Sequence, residues 1–173
     1  SAHMTRRPLS LLGVCLASAA LVVASAAPAS AHAIVDLTGE PAYAGKTSVM
    51  RLEIQHGCLQ NETGIDKIAV YFGKKFGRVK PAAVTGWTST TKRTADGRKI
   101  VWKLTGSVPA FNTPTYFPMM ITWPAKPGVY GMPVKQWCGS ATNIWDVPDG
   151  PATADKPSPP LYPLPQVKVL PRR

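Results

Sequence analysis

Two histidines and two cysteines carry most of the chemistry this sequence offers. His32 follows Ala29, Ser30 and Ala31, a small-residue cleavage site of A-x-A type. Cleavage after Ala31 makes His32 the first residue of the processed chain. An N-terminal His offers its α-amine and imidazole Nδ1 to one metal ion as a chelate. Imidazole nitrogen suits copper, zinc and nickel, and the order of affinities favours Cu(II). The α-amine has a reference pKa of ~7.7–8.0, so its proton is displaced at little cost near neutrality. His56 stands two residues before Cys58. That position reads as a turn or surface site rather than a ligand. The methionines, Met119 and Met120 among them, carry sulfur suited to Cu(I), but their spacing is strand-like and fits core filling better.

The organisation around these residues begins with processing. Residues 1–3 read as a scar of tag cleavage, and residues 4–31 as a secretory signal peptide. The latter has Arg6 and Arg7 at its start, an apolar run from position 9 to 27 and the cleavage site. Residues 32–173 then form a single domain. Removing the signal lowers the net charge of +11 by two. Cys15 leaves with it. Export and an even remaining count read Cys58 and Cys138 as one disulfide, with a redox or metal-binding thiol pair as the alternative. A bridge closing a loop of about 80 residues is worth roughly 4.5 kcal/mol in the chain-entropy model.

Hydrophobic alternation dominates the processed chain. Met50, Leu52 and Ile54 alternate with Arg51, Glu53 and Gln55, a strand with one buried face. Ile68, Val70 and Phe72 repeat the pattern, as do Ile100, Trp102 and Leu104. Asp96 and Gly97 form a hairpin turn between 87–95 and 98–104. Further strands are expected at 34–37, 117–123, 129–137, 143–147 and 166–170. About eight or nine short strands separated by Gly and Pro predict an all-β sandwich. The segment 147–171 is dense in proline and predicts an extended strap, with 166–170 pairing as an edge strand.

Several classes are excluded. No apolar run after residue 31 reaches the ~18 residues of a membrane span. No Gly-rich phosphate loop, G-x-S-x-G or H-E-x-x-H occurs. Ten of the basic residues fall within 67–103, where Asp96 is the one acid. A hairpin so charged attracts an anionic envelope polymer. The plainer reading is a solvated exterior whose lysines discourage edge-to-edge pairing. Nucleic-acid binding is not expected of an exported chain without a recognisable module.

Taken together, these residues resemble the YcnI-like family of secreted copper-binding domains. The resemblance rests on Ala31, His32 and Ala33 at the cleavage point, Ala44 and Gly45, then His56, Gly57 and Cys58. It continues through Val79, Lys80 and Pro81, Gly86 and Trp87, and Tyr116, Phe117 and Pro118. It ends with Gln136, Trp137 and Cys138, then Ile144 to Pro148. It implies an immunoglobulin-like β-sandwich that acquires or delivers copper at the cell envelope, with a copper chaperone or transporter as partner. It implies His32 as ligand and Trp145 as the indole beside the metal, and it sets Ser48 where the family has a carboxylate. Asp36 and Glu53 are the acids near by. On one strand Ser48 and His56 stand ~26 Å apart, so His56 falls away from a site at the Ser48 end. The alternative is a non-metal envelope interaction module using the basic hairpin. An oxidative enzyme of the polysaccharide monooxygenase kind ranks last because it needs a second histidine and only His56, badly placed by that spacing, is available, so no enzymatic activity is expected.

Overall fold

The computed structural model describes residues 33–148, 154 and 163–173. His32, the signal segment and most of the proline-rich strap lie outside the described residues. Among the described residues eleven strands form, β1 Ala33–Asp36, β2 Thr47–Ile54, β3 Lys67–Gly73, β4 Val79–Pro81, β5 Trp87–Thr94, β6 Gly97–Leu104, β7 Thr115–Thr122, β8 Gly128–Gly131, β9 Val134–Cys138, β10 Ala141–Trp145 and β11 Gln166–Val169. One sheet has the order β1-β2-β7-β4 and the other β10-β9-β3-β6-β5, with β11-β8 as a separate ribbon. The expected all-β sandwich is what forms.

The alternation read from the sequence sets the two inner faces. Ser48, Met50, Leu52 and Ile54 point inward from β2, opposite Ile121, Met119, Phe117 and Thr115 of β7. Ile68, Val70 and Phe72 of β3 and Ile100 and Trp102 of β6 face them from the second sheet, all buried. Trp102 and Phe117 meet across the centre with ring centroids 5.1 Å apart. Met50, Met119 and Met132 are buried in this core, as packing predicted, whereas Met120 faces outward.

Two expectations need adjustment. The stretch 129–137 is not one strand. Pro133 interrupts it, since a proline nitrogen has no hydrogen to give a ladder. Met132 N–H turns to Pro165 O at 2.8 Å, so β8 joins β11, while β9 joins β3. β4 has no counterpart among the expected strands, because three residues ending in Pro81 are too short to alternate; it pairs with β7 beside β5 and β6.

Cys58 and Cys138 form the expected disulfide, their Cα atoms 5.8 Å apart and both residues fully buried. It ties the loop after β2 to the end of β9, and so joins the two sheets. The strap is anchored where it is described. Leu164 N–H donates to Val147 O at 2.7 Å, and Leu170 exchanges hydrogen bonds with Ala42 and Ala44. The expected edge strand is β11.

Candidate functional site

β1 runs antiparallel to β2, with Ala33 opposite Ile54 and Asp36 opposite Arg51. The first described residue therefore lies at the end of β2 that leads into His56. Ser48 is six positions back along β2, roughly 20 Å away. The premise that set His56 apart from a site at the start of β1 is corrected by this register.

Ser48 is not placed to act as a ligand. It is buried, and its Oγ accepts a hydrogen bond from Trp123 Nε1 at 2.7 Å. A serine of inward parity lies among apolar neighbours, and the indole N–H satisfies its oxygen.

His56 caps the opposite end. Its Nδ1 lies 2.7 Å from Gly57 O. A carbonyl oxygen only accepts, so Nδ1 is the donor, and in the neutral ring Nε2 keeps its lone pair. Nε2 is buried and has no hydrogen-bond partner among the described residues. The ring packs on Phe111 with centroids 5.2 Å apart. The His56 carbonyl accepts from Gln136 Nε2 at 2.8 Å. Gln136 Oε1 accepts from Asn143 Nδ2 at 3.1 Å, and Asn143 Oδ1 from Gln60 Nε2 at 2.6 Å. This buried polar chain holds the backbone of His56 against β9 and β10. Close approach of the backbone also matters here. A Cβ on Gly57 would run into the Thr63 carbonyl, so only glycine lets the chain turn from β2 to the disulfide.

The nearby acids are engaged or turned outward. Asp36 accepts from Arg51 Nη2 at 2.8 Å and from Thr38 N–H at 2.8 Å. The Thr38 amide first, and the Arg51 guanidinium after it, hold the Asp36 carboxyl below its usual range. Glu53 lies beside Ile34 on the outer face, with Tyr116 Oη 3.5 Å from its Oε1. Among the described residues no group of three or more His, Cys, Asp or Glu side chains converges. Trp145 is on β10 opposite Val134 and is buried in the core between the sheets.

The basic residues of 67–103 do not form one hairpin patch. Arg93 and Arg98 pair near the β5–β6 turn, with their side chains on the face opposite Lys92 and Lys99. Lys80 lies on the outer face of the other sheet, opposite the exposed Met120. Lys67, Lys103, Lys99 and Lys92 share the outer face of the five-stranded sheet with Lys135, which belongs to β9 and lies outside that sequence window. Sequence spacing offered no sign of Lys135, because its neighbours come from cross-strand register.

No family model and no curated protein matches the chain. Among solved structures, a chain described as an uncharacterized protein from Nocardia farcinica with an immunoglobulin-like fold is similar. It shows 20% identity and a TM-score of 0.64, and the match covers 80% of this chain and 97% of that one. With the two sheets and the buried disulfide between them, this likeness establishes the fold as immunoglobulin-like.

Proposed function

We propose that this chain is an exported immunoglobulin-like domain that binds copper through His32 once cleavage after Ala31 makes that residue the N-terminus. The carrying observation is the register of Ala33 opposite Ile54. It supports a reading in which the freed amine and imidazole begin one residue before a strand that starts beside the His56 end of β2. His56 Nε2, unpartnered among the described residues, would in the neutral ring be a further nitrogen donor near that end. The chemistry is that of a nitrogen-rich site suited to Cu(II). Trp145 is carried as the indole neighbour by resemblance. The buried disulfide is consistent with an extracytoplasmic location, and copper acquisition or delivery there is the role that fits the ligand set.

The deciding experiment is a calorimetric titration of Cu(II) into protein beginning at His32 and into the same protein with one extra N-terminal residue. The extra residue turns the chelating amine into an amide and weakens binding strongly. Equal affinities for the two would overturn the proposal.

A further inference from the structure

The outer face of the β10-β9-β3-β6-β5 sheet carries cations where the fold gives no structural reason for them. Lys67 of β3 lies directly opposite Lys103 of β6, and Lys99 of β6 directly opposite Lys92 of β5. Like charges facing each other across strands destabilise a sheet. Among the described residues the one ion pair is Arg51 with Asp36, so none of these lysines has a carboxylate to neutralise it. Burial first, and then the charges of Lys103, Lys99, Lys92 and Lys135, push the Lys67 ammonium below its usual range.

Edge protection does not account for this arrangement. That role needs lysines on β5 or β10, the edges of the sheet. Of the five, only Lys92 is on an edge strand; the others lie on β3, β6 and β9. Their surroundings are also organised. Lys67 Nζ is 4.4 Å and Lys135 Nζ 4.8 Å from the centroid of the Trp137 ring, and Lys99 Nζ is 5.6 Å from that of Tyr71. Ala69 and Val101 have outward parity at the middle of this face yet are 0% and 3% exposed, covered by the longer side chains around them.

We infer that this face is a binding platform for an acidic polysaccharide. The lysines form two rows across the strands, Lys67 with Lys103 and Lys99 with Lys92, about 13 Å apart along β6. Ring-held ammonium groups are ordered before a ligand arrives, so less side-chain entropy is lost on binding. Thr88, Thr90 and Thr142 lie on the same face and are exposed, offering hydroxyls to sugar hydroxyls. A bilayer fits less well. Among the large hydrophobic side chains of the described residues, Ile144 alone is well exposed on this face, so little would enter the acyl region. Asp96 and Asp146 border the groove at the Tyr71 end of the face, and their carboxylates repel an anionic chain there, so the platform is confined to the lysine rows. This inference is independent of copper.

The test is binding of the full chain to polygalacturonate by calorimetry at low salt, with neutral dextran and phosphatidylglycerol vesicles as separate arms. The K67Q/K99Q/K103Q variant removes three charges from the platform, and K74Q/K75Q/K80Q removes three from other parts of the surface. The first should lose roughly tenfold or more in affinity and the second much less, with binding to both weakened by added salt. Near-UV circular dichroism checks that the fold is kept, and the single variant K103Q shows a smaller loss in the same direction. Equal losses in the two triple variants, no binding to polygalacturonate, equal binding to dextran or tighter binding to vesicles would each overturn the inference.

Discussion

Trp123 Nε1 donates to Ser48 Oγ across 2.7 Å in the buried interior, joining the strand that begins the core to the residue that follows β7. The serine is held for packing and polar satisfaction. Ser48→Ala leaves the indole N–H without its partner and should cost about 1–3 kcal/mol, read from the denaturant midpoint. Cu(II) affinity of protein beginning at His32 should stay unchanged in this variant. A loss of copper binding with stability intact would return Ser48 to the metal site.

His56 has two separable roles. Its ring fills space against Phe111, and under the copper proposal its Nε2, unpartnered among the described residues, is a ligand. His56→Phe retains an aromatic ring and removes the nitrogen. In protein beginning at His32 it should weaken Cu(II) binding by roughly tenfold or more, with the far-UV spectrum unchanged. Unaltered affinity would remove His56 from the ligand set and leave His32 standing.

The charge on the five-stranded sheet should be visible in pH-dependent stability. The Lys67 ammonium is pushed down in the folded chain by burial and then by its lysine neighbours. Between its lowered folded value and the ordinary one, the unfolded chain binds more protons than the folded one. Stability from this group therefore rises as pH climbs through that window. At low salt the melting temperature should carry this upward contribution, and Lys103→Gln should diminish it. Added salt should have the same effect on the wild type.

Asp36 works in the opposite sense. Its carboxyl is held below the usual range by the Thr38 amide and by Arg51. The folded chain then favours the ionised form, so the contribution is complete above the ordinary carboxylate range and is lost as pH falls through the folded value. Asp36→Asn should flatten the acid limb of the stability profile without touching the alkaline one. An unchanged acid limb would show that the pair with Arg51 contributes nothing measurable.

The disulfide offers the largest single effect. Cys58 and Cys138 are fully buried and 80 residues apart in sequence. Replacing both with alanine should cost about 2–5 kcal/mol, measured by urea unfolding. Reductant should act slowly on the native protein and quickly once it unfolds, because neither sulfur is open to solvent.

Local pattern alone determined the class of this fold. Met50, Leu52 and Ile54, or Ile68, Val70 and Phe72, alternate because a strand turns successive side chains to opposite faces, and that rule needs no partner strand. Cys58 and Cys138 were legible as a pair for a similarly simple reason, since the two thiols left after the segment read as a signal peptide have each other. Partners were another matter. Only the assembled sheets showed that Pro133 sends β8 and β9 to different sheets, and that β1 begins opposite Ile54, far from Ser48. They also showed that Lys135 joins lysines more than 30 residues away in the chain. Register and sheet order are set by which apolar faces can be buried together, and residues distant in sequence decide that jointly. The alternation of one strand is written in its own residues, but the neighbour it meets is chosen by the whole core.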